Sequence, residues 1–287
     1  MKKVPELPEV ETVRQGLLKL IKGSTVIGVD VYWDRIISGA IHSEDFASQL
    51  IGNRLLDIDR RGKYLLFKFD HWSMISHLRM EGKYEVSDTN EPLNKHTHVV
   101  FHLSDGRDLR YLDVRKFGRM TLVPIGEELN ATGLKTIGPE PTPEAFDLAV
   151  FRKNLKQKSR AIKPLLLEQK VVAGLGNIYV DEALFQAKIH PLKPANSLKP
   201  KEVKQLHQAI IEVLNKAVLA GGTTIRTYKN ALGEAGSFQV ELHVYGKTNE
   251  PCINCGTPIQ KIKVAQRGTH ICPNCQKLTQ ENSLSQL

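Results

Sequence analysis

All four cysteines of the 287-residue chain fall in two C-x-x-C pairs, Cys252-Ile-Asn-Cys255 and Cys272-Pro-Asn-Cys275, with sixteen residues between them. Each pair lets two thiolates converge on one tetrahedral ion, and the spacing is that of structural zinc sites. One Zn2+ held by Cys252, Cys255, Cys272 and Cys275 is therefore the expected occupant. Four protein ligands leave no open position, so such an ion would hold structure and do no chemistry. The competing readings are a disulfide pair and a redox dithiol; a cytoplasmic chain disfavours the first, and one C-x-x-C would serve the second. Between the pairs, Lys261, Lys263 and Arg267 would sit on a hairpin suited to a phosphate backbone, or simply form a solvated basic loop.

Other residue types point toward chemistry with less force. Pro5-Glu6-Leu7-Pro8-Glu9-Val10-Glu11-Thr12 crowds two prolines and three glutamates at a helix start. The acids suit the helix dipole and proline suits a first turn, which accounts for them without any function. Lys63 follows Arg60-Arg61 and opens the apolar run Tyr64–Phe67; a lysine beside other cations can have its pKa lowered, or can be a plain strand-end lysine. From Arg152 to Lys163 there are six basic residues and no acid, either an anion-binding stretch or an exposed helix face. Gly174-Leu-Gly176-Asn177 precedes a helical pattern, where backbone amides and the dipole can hold an anion.

These residues must be carried by an α+β fold. The apolar spacing of Val10, Val13, Leu17, Leu20 and Ile21 predicts a leading helix closed by Gly23. Strand-like runs follow at Val26–Trp33, Arg54–Asp70, Met74–Val86, His98–Leu103 and Arg107–Val123, with Asp105-Gly106 as a hairpin signal. One helix with many antiparallel strands implies a β-sandwich over 5–135. Gly138, Pro139, Pro141 and Pro143 break regular structure. A helical domain over 143–238 is then predicted, with helices at Glu144–Lys158, Ile162–Val172, Ile178–Ala187 and Lys201–Leu219. A four-cysteine zinc-finger hairpin over 240–278 ends the ordered chain, and the tail after Lys277 is expected to be disordered. The net charge of +9 attracts polyanions through counterion release. No apolar run is long enough for a membrane span and the opening residues lack a signal-peptide core; the expectation is a cytoplasmic monomer.

The ordered motifs sharpen this. PELPEVET, Arg61-Gly62-Lys63-Tyr64-Leu65-Leu66, His77-Leu78-Arg79-Met80-Glu81-Gly82, Asp113-Val-Arg115-Lys116-Phe117-Gly118, Gly138-Pro-Glu-Pro141, Gly174-Leu-Gly176-Asn177-Ile178-Tyr179, Gly221-Gly-Thr-Thr224 and the finger with Ala265-Gln-Arg267 together resemble the bacterial formamidopyrimidine-DNA glycosylase family. The resemblance spans Pro5 to Cys275. It implies an enzyme of base-excision repair that acts on double-stranded DNA containing oxidised purines. Such an enzyme is a glycosylase and AP lyase, uses an N-terminal proline as nucleophile, and would be nucleoid-associated through its DNA.

Carried over residue by residue, the resemblance makes Pro5 the nucleophile and Glu6 the proton donor. Lys63 assists base release and β-elimination, and Arg267 serves the 5′-phosphate and δ-elimination. Met80, Arg115 and Phe117 match the family's intercalating trio, with Arg115 reading the opposing cytosine; in isolation Met80 and Phe117 would more often be core residues. His77, His96, Lys158 and Asn177 match phosphate contacts. Gly174–Asn177 belongs to a helix–two-turn–helix motif, and Thr223–Phe238 to the loop that closes on the extruded lesion.

One departure matters. Met1-Lys2-Lys3-Val4 precedes Pro5, so the Pro5 nitrogen is written as a tertiary amide. Translation beginning at a GUG codon at position 4, followed by methionine trimming, would free it. If residues 1–4 are kept, a non-catalytic lesion-binding zinc protein is the alternative. The sister family for oxidised pyrimidines usually has glycine where this chain has Leu7, which favours purines.

Overall fold

The computed structural model describes residues 4–39, 42–131, 133–222 and 242–278. They divide into two compact units, one of residues 4–136 with 217–222 and one of residues 137–216 with 242–278. The predicted lesion loop, Thr223–Phe238, lies outside the described residues, as does most of the tail predicted to be disordered.

The first unit opens with α1 (Leu7–Ile21), whose Glu9 carboxylate accepts the Glu6 amide at 3.0 Å and so caps the helix. Its Val10, Val13, Leu17 and Ile21 are buried. Then follow β1 (Val26–Val31), α2 (Ser43–Leu50), β2 (Leu55–Arg61), β3 (Tyr64–Phe69), β4 (Trp72–His77), β5 (Lys83–Asp88), β6 (Thr97–Leu103), β7 (Arg107–Leu112) and β8 (Arg119–Pro124). Two antiparallel four-stranded sheets form, in the orders β1-β6-β7-β5 and β2-β3-β4-β8. Phe67 of one sheet meets Tyr84 of the other at 5.2 Å between ring centroids, and Tyr84 meets Tyr111 at 5.1 Å. This is the expected sandwich, with α1 and α2 completing its core.

Three runs read from the sequence as single long strands are each two strands. Arg54–Asp70 breaks at Gly62 (φ +57°), Met74–Val86 at residues 78–82 with Arg79 at φ +55°, and Arg107–Val123 at residues 113–118 with Lys116 at φ +58°. A left-handed residue reverses the chain and cannot continue a ladder. The sequence pattern hid these turns because each contains or adjoins apolar residues. The Asp105-Gly106 signal is realised as the β6–β7 hairpin, with Gly106 at φ +83°.

The second unit contains α3 (Leu148–Lys156), α4 (Ile162–Leu167), α5 (Asn177–Gln186) and α6 (Pro200–Leu219), then the hairpin β9 (Gln260–Val264) and β10 (Arg267–Ile271). The helix predicted over Glu144–Lys158 begins later because the Asp147 side chain accepts the Val150 amide at 2.7 Å and acts as N-cap. The helix predicted over Ile162–Val172 stops at Leu167, where Gln169 turns left-handed (φ +63°) and its side chain receives the Gly174 amide at 2.8 Å.

Candidate active site and nucleic-acid interface

The register of the second sheet gathers the first unit's site residues at one end. Tyr64 pairs with His77 and His77 with Arg119. The three turns that follow or precede these positions therefore carry Lys63, Met80 and Arg115–Phe117 side by side. Helix α1 is fixed to the same sheet: Arg60 Nε donates to Glu11 at 3.0 Å, and Arg60 Nη1 donates to the Gly62 carbonyl at 2.9 Å. One guanidinium thus links the helix that follows Pro5 to the turn that presents Lys63. Burial alone would raise the Glu11 pKa, but hydrogen bonds from Arg14, Gln15 and Arg60 outweigh it and hold the carboxyl below its ordinary value. The sequence reading took Glu11 only as one of the acids at the helix start and Arg60 only as a cation beside Lys63, and did not pair them.

Pro5 is half-buried and Glu6 is buried. Gly222, at φ +81°, passes so close to Glu9 that an added Cβ would lie 2.7 Å from its carboxylate. At Gly222 a bare backbone is what fits beside the capping carboxylate.

His77 is held neutral, its pKa pushed down to about 3 by desolvation first, then by the positive charges of Arg79 and Lys63. Its Nδ1 accepts the Arg79 amide at 2.9 Å. The ring proton must then sit on Nε2, which is a hydrogen-bond donor suited to a phosphate oxygen.

Met80, Arg115 and Phe117 lie in contact through Arg115. Arg115 Nη1 donates to Met80 Sδ at 3.0 Å, and its guanidinium lies 4.7 Å from the centroid of Phe117, which is 46% exposed. Phe117 is therefore no core residue. The buried Asp113 carboxylate builds this turn by accepting the amides of Arg115, Phe117 and Gly118 at 2.9, 2.8 and 2.8 Å. His96 joins through its carbonyl, which accepts the Asp113 amide at 3.0 Å. The Tyr111 hydroxyl fills the space beside both Gly82 and Gly118; a Cβ would lie 2.1 Å from it at the first and 1.8 Å at the second. Gly118→Ala is accordingly expected to cost about 1–3 kcal/mol of stability through overpacking and to displace Phe117. Gly16→Ala, where an added Cβ meets nothing within 4 Å, should instead stabilise by about 0.5–1 kcal/mol. Thermal melts of the two variants check the contrast.

In the second unit the hairpin β9–β10 is bonded to the start of α5. Asn177 Nδ2 donates to the Gly268 carbonyl at 2.9 Å, next to Arg267. Lys163 is fully buried, donating to Asp181 at 2.7 Å and to the Thr269 hydroxyl at 2.8 Å, while Asp181 also accepts the His270 amide at 2.9 Å. Lys163 thus leaves the basic run as an internal tie, whereas Lys158 is exposed just beyond α3. Lys163→Ala would strand the Asp181 charge, and about 3–5 kcal/mol of stability should be lost, measurable by urea denaturation. Ala265 and Gln266 turn the hairpin at φ +45° and +63°; such conformations are held in place by their surroundings and concentrate at functional sites.

The four cysteine sulfurs lie within 4.8 Å of one another, with separations such as 3.9 Å between Cys252 and Cys275 and 3.5 Å between Cys255 and Cys272. A tetrahedron with Zn–S bonds of about 2.3 Å has edges of about 3.8 Å, so the donor set fits one zinc ion. Cys252, Cys272, Val244 and Ile259 pack with Phe185 of α5. Glu182 of the same helix accepts the amides of His243, Val244 and Tyr245 at 2.9, 3.0 and 2.8 Å. Burial raises its pKa, but the His243 side chain and these amides win and leave it lowered. A carboxylate with a depressed folded pKa stabilises fully above its ordinary value near 4.5 and loses that contribution as pH falls through the folded value. The stability gap between the wild-type chain and Glu182→Gln should therefore close in acid and open above pH 4.5, as read by denaturation at several pH values. No sequence signal marked Glu182.

Two basic, turn-built surfaces, a buried acid beside a proline and a closed four-thiolate finger define a zinc-bearing enzyme that grips nucleic acid. Family models match along the chain: the formamidopyrimidine-DNA glycosylase N-terminal domain at residues 4–120, the formamidopyrimidine-DNA glycosylase H2TH domain at 137–229, and the zinc finger found in FPG and IleRS at 249–278. The formamidopyrimidine-DNA glycosylase of Enterococcus faecalis is 62% identical over 96% of this chain and 98% of its own length, and that of Bacillus subtilis 52% over 95% and 99%. A structure of Lactococcus lactis Fpg bound to an abasic-site-containing DNA is 49% identical, covers 96% of this chain and 100% of that one, and superposes with a TM-score of 0.90. The chain belongs to the formamidopyrimidine-DNA glycosylase family, whose members are bifunctional DNA glycosylases and AP lyases. Among the described residues no helix is long and apolar enough to cross a membrane.

Proposed function

We propose that this chain excises 8-oxoguanine and formamidopyrimidines from duplex DNA and then cleaves the emptied strand, with Pro5 as nucleophile. A Lactococcus lactis Fpg variant has been solved with a Fapy-dG-containing DNA, and Leu7 favours purines over oxidised pyrimidines. The observation that carries the reading is the convergence, at one end of the sandwich, of Lys63, His77, Met80, Arg115 and Phe117.

The target bond is inaccessible inside a duplex, so the nucleotide is flipped out. Met80 and Phe117 wedge into the gap and Arg115 hydrogen-bonds the orphaned cytosine. The amine of Pro5 attacks C1′; Glu6 donates a proton to the sugar as its ring opens, and the base departs with the electrons of the glycosidic bond. The resulting iminium acidifies the C2′ proton. Its removal, assisted by Lys63, expels the 3′-phosphate; a second elimination, served by Arg267, expels the 5′-phosphate. His77, His96, Lys158 and Asn177 hold flanking phosphates. A secondary α-amine suits this role because its pKa is about 7.7–8.0, against about 10.4 for lysine.

The reaction requires a chain that begins at Pro5. The family match starts at residue 4, directly ahead of it. The enzyme is proposed to act as a monomer in the bacterial cytoplasm, on nucleoid DNA. Excision from 8-oxoguanine–cytosine duplexes against thymine-glycol duplexes tests the substrate class: faster release of thymine glycol would assign the chain to oxidised pyrimidines instead.

A further inference from the structure

The basic run Arg152–Lys163 is only partly used by the DNA-facing reading. Lys163 is buried against Asp181, and Lys158 is placed on phosphate. Arg152, Lys153 and Lys156 remain on α3, where with Lys204 of α6 they rim a groove of about 830 Å³. All four are exposed and, among the described residues, none is ion-paired. The one acid on the rim, Asp147, is turned to the Val150 amide as the α3 cap. Beneath the cations the lining is apolar, with Leu148 half-buried and Val203 buried.

We propose that this groove docks an acidic peptide segment that carries an apolar anchor, supplied by a partner protein. Four uncompensated cations in one groove select an anionic partner. The apolar floor distinguishes which kind. A duplex presents its phosphates on a convex ridge and gains nothing from Leu148 and Val203, whereas a peptide can lower a leucine or phenylalanine onto them while its carboxylates meet the rim. Rim charges set encounter and salt dependence; the buried anchor sets residence. The proposal rests on this groove alone and stands or falls independently of the Pro5 chemistry.

The test uses the full, zinc-loaded chain and a fluorescein-labelled peptide, Asp-Glu-Asp-Leu-Asp-Glu-Phe, followed by anisotropy. Saturable binding is expected, weakened at least about tenfold by Lys153→Glu with Lys204→Glu, and about tenfold or more when the probe's leucine and phenylalanine become serine. Affinity for an 8-oxoguanine duplex should be retained by the double variant. Absence of saturable binding overturns the proposal. Equal binding of the serine probe would reduce the groove to a polyelectrolyte patch, and a parallel loss of duplex affinity would give the face to DNA. Lys153→Ala with Lys204→Ala, checked for zinc content and melting temperature, serves if the charge reversals do not fold.

Discussion

Cys255→Ala is expected to abolish zinc binding and to unfold the finger. Structural zinc sites contribute about 10–16 kcal/mol of apparent binding free energy to folding, which matches or exceeds the roughly 5–15 kcal/mol total stability of a typical domain. The finger has little else to hold it. Among the described residues its buried apolar side chains are only Val244, Ile259, Val264, Ile271 and two of the cysteines themselves, with Val244, Ile259 and the cysteines gathered around Phe185, and its hairpin is only two strands, an element that is marginal alone in water. The ties from Asn177 and Lys163 to β10 cross to the hairpin backbone and Thr269, so they act only once the hairpin exists. Loss of the metal therefore also removes the support of Arg267. Hydrogen exchange reads the outcome: amides of Gln260–Val264 and Arg267–Ile271 should lose protection in the variant, while those of the sandwich strands keep theirs. Full protection of the hairpin without metal would contradict the assignment.

The cysteine pairs were legible from spacing alone, because tetrahedral thiolate coordination needs little more than two close pairs. The leading helix, the sandwich and the β6–β7 hairpin were equally open to pattern reading. The turns that carry the candidate site residues were not. Lys63, Met80 and the Arg115–Phe117 segment were all read inside continuous strands, since Met and Phe look like strand interior when only periodicity is available. In the fold each lies in or beside a turn containing a left-handed residue, and Phe117 stands exposed at its turn. The motif resemblance singled out those residues as candidates where periodicity could not. Neither route found the residues that place them. Arg60 with Glu11, Asp113 beneath its turn, Tyr111 between two glycines and Glu182 under the finger act through contacts between segments distant in sequence. Nor did the basic run reveal that Lys163 is internal, since a buried lysine is recognisable only by its partner.

The second large effect concerns the first residue. A chain that retains Met1–Val4 has no amine at Pro5, and its strand-cutting activity should fall by orders of magnitude, because an amide nitrogen is not a nucleophile. Duplex affinity should survive, since the residues proposed to hold phosphates and wedge between bases remain. Loss of both together would point to a folding defect and not to the missing amine.

Borohydride trapping on an 8-oxoguanine–cytosine duplex, followed by peptide mass spectrometry of the adduct, addresses this most directly. The account predicts a single covalent link on the nitrogen of Pro5, at the first position of the chain. A link on Lys63, or equal trapping by a chain that still begins at Met1, would contradict it.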